Sequence, residues 1–175
     1  MPQSSSPEST AHINPKIIFF GVDGVFKIFQ PRKYNKHDAY SYDIEILDLF
    51  IAMLRTKFAY IVPITLLRED RDKLWWCRND YSATLLQPFL HPAAHLFNPV
   101  PGEQRAFAIR NWAKVNKATT LDKILVMDVK DKSNYPDISM TSFYPPIWCN
   151  PDYGIATPEL RGIQNFLQIV KILKR

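Results

Sequence analysis

The sequence predicts an α/β three-layer sandwich with a central parallel sheet, on three observations. Short apolar runs, at Lys16–Phe20, Phe58–Val62 and Ile124–Met127, show no alternation of polar and apolar residues; strands covered by helices on both faces read this way. Between the runs lie stretches whose apolar positions recur every three or four residues, the mark of helices with one buried stripe. Finally, 175 residues with 46 % hydrophobic content can close one core without disulfides or metal.

Taken in order, residues 1–14 are polar and rich in Ser and Pro, and are expected to be a disordered tail; a single domain is expected over 15–175. The first run ends at Gly21 as strand one. Phe26 to Tyr42 reads as a long polar and aromatic connection. Ile44, Leu47, Ile51 and Leu54 then place a helix over Asp43–Lys57. The second strand is expected at Phe58–Val62, with Pro63 at its end because proline cannot donate to a ladder. Leu67–Arg78 is helix-like. Gln87–Pro101, with four prolines, is expected to be irregular apart from a strand at Leu96-Phe97. Ala106, Ile109 and Ala113 line one face of a helix over Glu103–Lys117. The third strand is Ile124–Met127, stopped by Asp128, and a fourth is expected at Pro146–Cys149. Thr157-Pro158-Glu159 opens a final helix, with Thr157 as N-cap and Pro158 in the first helical position.

Charge and cysteine content narrow the function classes. The net charge of +5 favours phosphorylated or acidic partners, while the spread of basic residues along the chain is not a nucleic-acid footprint. The terminal Lys171, Lys174 and Arg175 suit a helix C-terminus, where cations complement the dipole. Cys77 and Cys149 lack metal-ligand spacing and are expected to be free thiols in the reducing cytoplasm. No apolar run reaches membrane-spanning length, and the start of the chain has no secretory signal pattern. His12, His37, His91 and His95 form no helical pair, and the three glycines of a dinucleotide fingerprint are missing.

In open parallel sheets ligands sit beyond the carboxyl ends of the strands. The residues there are Gly21-Val22-Asp23-Gly24, Thr65, and Asp128 to Asn134. Carboxylates converging at strand ends can hold a hard cation such as Mg2+, and backbone amides with a hydroxyl can hold phosphate oxygens. Taken singly, Asp-Gly after a strand is an ordinary turn and a Thr there an ordinary cap.

The order of these segments resembles the haloacid dehalogenase-like phosphohydrolase superfamily over roughly residues 16–170. Phe19-Phe20-Gly21-Val22-Asp23-Gly24-Val25 is similar to its opening strand and Asp-x-Asp-Gly motif. Ile61-Val62-Pro63-Ile64-Thr65 matches its second motif, and Ile124 to Asp131 its fourth. The layout is most similar to the magnesium-dependent acid phosphatase group. The resemblance implies a HAD-like Rossmannoid fold without a cap domain, since about forty residues separate Asp23 from Thr65 and a similar span leads to Gly102. It also implies Asp23 as general acid/base, Thr65 and Arg105 on phosphate, and Asp23, Asp128 and Asp131 around a weakly held Mg2+.

The departures from the family pattern carry the functional expectation. The nucleophile position, which in the family becomes an aspartyl-phosphate, is Gly21. The Lys of the third motif falls on Gln104, with Arg105 beside it as a partial substitute, and the paired acids of the fourth motif are spread as Asp128-Val129-Lys130-Asp131. A pseudophosphatase is expected, binding or regulating through a phosphorylated or acidic ligand. Two alternatives stand beside it. One is a weak Mg2+-dependent phosphatase acting on a phosphoprotein or other bulky phosphate. The other is a protein-interaction module using aromatics elsewhere, such as Trp75-Trp76, Phe89 or Phe143-Tyr144.

Overall fold

The fold is that of a computed structural model, which describes residues 14–21, 25, 28–29, 40–41, 44–64 and 85–170. Strand β1 (Ile17–Gly21) leads through a small antiparallel pair, β2 (Ile28–Phe29) and β3 (Tyr40–Ser41), to helix α1 (Ile44–Lys57) and strand β4 (Tyr60–Ile64). Two single 3-10 turns, Gln87–Phe89 and Ala94–Leu96, precede helix α2 (Arg105–Asn116). Strand β5 (Ile124–Val129), the one-turn helix α3 (Asp137–Met140), strand β6 (Ile147–Cys149) and helix α4 (Thr157–Leu167) complete the order. The main sheet runs β4-β1-β5-β6 with every pairing parallel. This is the α/β three-layer architecture expected of strands that read as continuous apolar runs.

Both faces of the sheet are covered, which is why those runs are apolar throughout. Ile18, Phe20, Leu125 and Met127 pack with Leu47, Phe50 and Leu54 of α1 and with Leu160, Ile163 and Phe166 of α4. Ile17, Phe19, Ile124 and Val126 face the other way, onto Ala106, Ile109 and Trp112 of α2 and onto Phe97. The rings of Phe97 and Trp112 each meet Phe19 edge-on, with centroids 5.2 Å apart. Alternation along a strand thus sorts one continuous apolar run into two cores.

Several element boundaries differ from the sequence expectation. Strand β4 begins at Tyr60, because Phe58 adopts φ 40° in the turn after α1. It also contains Pro63. The Tyr60 N–H donates to Lys16 and the Ile61 carbonyl accepts from His91 on the opposite side. Pro63, two residues after Ile61, therefore faces away from β1 and its missing N–H removes no bond of that ladder. Leu96-Phe97 is not a strand: Leu96 ends a 3-10 turn, and the parallel bridge to β4 comes from Leu90 instead. Strand β5 continues through Asp128 to Val129 rather than stopping at Asp128. The N-cap of α4 is Ala156, one residue before Thr157. The Glu159 carboxylate reaches back to the Ala156 N–H at 2.9 Å, as in a capping box, and Pro158 lies in the first turn.

Of the tail expected over 1–14, Asn14 is described and hydrogen-bonds to Thr119 and Thr120; residues 1–13, the Leu67–Arg78 helix, Cys77, Trp75-Trp76, parts of the two spans expected to lack a cap, and the C-terminal cations lie outside the described residues. Among the described residues no helix is long and apolar enough to cross a membrane.

Candidate functional site

The path of the chain through the sheet selects one crevice. From β1 the chain moves to β4 and to the Leu90 bridge beyond it, then crosses back to place β5 on the opposite flank of β1, with β6 outside it. The switch point is therefore between β1 and β5, and open α/β sheets bind ligands at the carboxyl ends of strands flanking such a point. The register pairs Phe20 with Met127, so the next residues, Gly21 and Asp128, come opposite each other at that end.

Asp128 is the one charged side chain buried among the described residues, at 2 % exposure. Its parity along β5, two residues after Val126, turns it toward α2. Arg105, the first residue of α2, meets it there: Nη1 donates to Asp128 Oδ2 at 2.5 Å. The Tyr135 hydroxyl donates to the same oxygen at 2.5 Å, and the Val129 backbone N–H donates to Oδ1 at 2.8 Å. A buried carboxylate needs such partners, because removing one from water unpaired costs several kcal/mol or more. Burial alone would lower the Arg105 guanidinium, but attraction and hydrogen bonding to Asp128 and Tyr135 outweigh it and raise its pKa. Burial, followed by the adjacent Asp128 charge, pushes the Tyr135 phenol far above its usual range. The phenol is thus a fixed donor and not an acid at neutral pH.

The absence of a side chain at Gly21 is part of this arrangement. A Cβ there would overlap the Asp128 carboxylate, with the carboxyl carbon at 2.9 Å, and would touch Val25 Cγ2 at 3.5 Å. Asp128 fills the space a side chain at 21 would need. Its three donors hold it there, so the carboxylate cannot simply swing aside.

The remaining predicted positions fall as follows. Asp131 turns into its own loop: Oδ1 accepts from the Ser133 N–H and hydroxyl at 2.9 and 2.6 Å, and Oδ2 from the Asn134 amide at 2.7 Å. Hydrogen bonds from Ser133 and then Asn134 hold its carboxyl below the ordinary value. That loop is tied to the start of α2 through Ala106 N–H to the Asn134 carbonyl at 3.1 Å, and so it positions Tyr135. Gln104 is exposed and serves as the α2 N-cap residue without a side-chain cap bond. Asp23 and Thr65 lie outside the described residues. The structure therefore gathers Gly21, Arg105 and Asp128, and leaves the Asp131 carboxylate engaged elsewhere. Arg105, expected on phosphate, is engaged by Asp128 instead.

Sequence reasoning missed Tyr135. A lone tyrosine in a loop carries no pattern, and only the return of that loop beside β5 brings its hydroxyl to Asp128. Its ring also lies 5.2 Å from that of Trp148 on β6. Of the aromatics that could form an interaction surface, those described pack inward: Phe89 and Phe143 are buried, and half-buried Tyr144 meets Phe166 edge-on at 4.8 Å. Cys149 is a buried free thiol whose pKa is pushed up to about 12 by burial and then by Glu159 and Asp128, which leaves it inert as a nucleophile. Among the described residues no three His, Cys, Asp or Glu side chains come together as a metal site.

No protein-family model and no curated protein matches the chain. Among solved structures it is similar to the hypothetical protein XCC2798 of Xanthomonas campestris, at 16 % sequence identity and a TM-score of 0.51. The likeness covers 97 % of this chain and 95 % of that one. At that identity it speaks for the fold alone.

Proposed function

We propose that this chain is a non-catalytic relative of the haloacid dehalogenase-like phosphohydrolases, a pseudophosphatase that acts by binding. The observation that carries the reading is Gly21 at the end of β1 with the Asp128 carboxylate packed into its side-chain space. Phosphoryl transfer through an aspartyl-phosphate requires a carboxylate there as nucleophile, and this chain has neither the carboxylate nor room for it beside Asp128. Arg105, the nearest substitute for the missing Lys, is committed to Asp128 at 2.5 Å. Losing a covalent nucleophile removes several orders of magnitude in rate, by comparison with triad deletions.

The residues that remain suit recognition. Arg105 has N–H groups beyond the one it gives to Asp128 and keeps 14 % of its side chain exposed, and the chain carries a net charge of +5. A phosphorylated or acidic group is the ligand class these features favour. A cytoplasmic setting fits the free, buried thiol of Cys149.

The test is phosphate release from a generic aryl phosphate with Mg2+ present. The wild type is expected to give none above the protein-free rate. Sustained release that Asp23→Ala abolishes would sink the reading in favour of a working phosphatase.

A further inference from the structure

We infer that Arg105 is a built-in counter-ion standing where a divalent cation would sit beside Asp128, so that the strand-end crevice takes up no Mg2+. The inference rests on the phosphohydrolase-like reading of this site, since that resemblance is what implies Mg2+ there.

Charge balance is the first argument. With glycine at 21, Asp128 is the one buried carboxylate among the described residues. A guanidinium beside it leaves no net charge, whereas a divalent ion would leave a surplus positive charge in a position where burial makes charge costly. Lone pairs are the second. Asp128 Oδ2 accepts from Arg105 and Tyr135, and Oδ1 accepts from Val129 and lies against Gly21. Mg2+ binds through one or two carboxylates and keeps several waters in near-octahedral geometry. A carboxylate that is 2 % exposed and already holds three donors keeps a single lone pair, on Oδ1 beside Gly21, with no space there for an ion and its waters.

The third argument is that the features depend on one another. Glycine at 21 lets Asp128 lie across the end of β1, and that position brings Oδ2 within reach of Arg105 at the start of α2. Asp131, a further candidate ligand, spends both oxygens on Ser133 and Asn134. Restoring a carboxylate at 21 alone would therefore place two acids against one guanidinium. Removing Arg105 as well releases Asp128 Oδ2 from its ion pair, so that the carboxylate can withdraw from the side-chain space at 21, and leaves two acids with no cation, a combination that calls for a divalent ion.

The full chain titrated with Mn2+ tests this, because bound Mn2+ loses the sharp electron spin resonance signal of the free ion. Thermal melts with and without Mg2+ run beside it. The wild type is expected to leave the free-ion signal undiminished and to show the same Tm in both melts. Gly21→Asp combined with Arg105→Gln is expected to take up Mn2+ stoichiometrically and to melt higher with Mg2+ present. Wild-type uptake that Asp128→Asn abolishes overturns the inference, as does a folded double variant that takes up no Mn2+. Should the double variant fail to fold, the wild-type and Asp128→Asn titrations decide. A wild type that binds no Mn2+ yet releases phosphate defeats the pseudophosphatase reading and leaves the role of Arg105 standing. Mn2+ held at Asp128 without turnover does the reverse.

Discussion

The two faces of the sheet are built from the same strands but solve different problems. On the α1 and α4 face, Ile18, Phe20, Leu125 and Met127 meet Leu, Ile, Met and Phe side chains, and stability there comes from apolar area and close packing. On the α2 face the apolar residues share space with polar groups that must be satisfied. Trp112 Nε1 donates to the Ala93 carbonyl at 3.0 Å, Arg110 reaches the Ser139 carbonyl at 2.6 Å, and Asp128 is held by Arg105 and Tyr135. The difference follows from strand parity. Asp128 shares the face of Ile124 and Val126, and so every partner it needs has to come from α2 and the loop after β5. The lesson is that the same strands can present a mainly apolar face to one layer and, to the other, a face on which a buried carboxylate dictates its neighbours.

The largest effect that would test this contrast lies on the apolar face. Phe50→Ala removes a fully buried ring from α1 and is expected to cost ~3–5 kcal/mol. Urea unfolding should show a lower midpoint with no dependence on salt. A loss under about 1 kcal/mol would mean that this face is loosely packed.

The polar face should respond through coupling. Arg105→Gln leaves Asp128 buried without its cation and is expected to cost ~3 kcal/mol. Asp128→Asn also destabilises, but the two together should cost less than their sum by ~1–3 kcal/mol. A double-mutant cycle by denaturant unfolding measures that term. Strict additivity would show that the ion pair contributes no coupling and would blur the contrast between the faces.

The smallest effect concerns His91, which lies at the margin of the α2 face. Its ring sits between Tyr60 and Trp112, at 4.9 and 5.0 Å, and its Nδ1 accepts the Ala93 N–H at 3.0 Å. Burial lowers its pKa below 6.5. The unfolded chain therefore takes up the proton more readily than the folded one. The stability that depends on neutral His91 is complete above the unfolded value and declines as pH falls through it toward the folded value. The Tm should fall below about pH 6.5 and should fall less in His91→Phe. An identical decline in the variant would assign the pH dependence to other groups.

Much of the architecture was legible because it is written in local pattern. Unbroken apolar runs at Ile17–Phe20 and Ile124–Met127, and the three-and-four spacing of Leu47, Ile51 and Leu54, are set by the periods of strand and helix. The same local reading went astray where neighbours outvote propensity. Pro63 lies inside β4 because its orientation spares the ladder to β1, and β5 runs on through Asp128 because a buried acid with three donors is no longer a strand terminator.

Of the candidate site, the sequence by itself determined that glycine stands at 21 and that an acid follows the apolar run ending at Met127, because each is a matter of residue identity next to a readable strand. Only the tertiary structure decided what these residues do. Residues 21 and 105 are far in the chain from each other and from 128 and 135. The crossover that places β5 beside β1, with α2 packed over that face, is what seats the Asp128 carboxylate against Gly21 and gives it Arg105 and Tyr135 as partners. A carboxylate's character is set by what surrounds it once water is gone, and for Asp128 those surroundings are assembled by long-range packing.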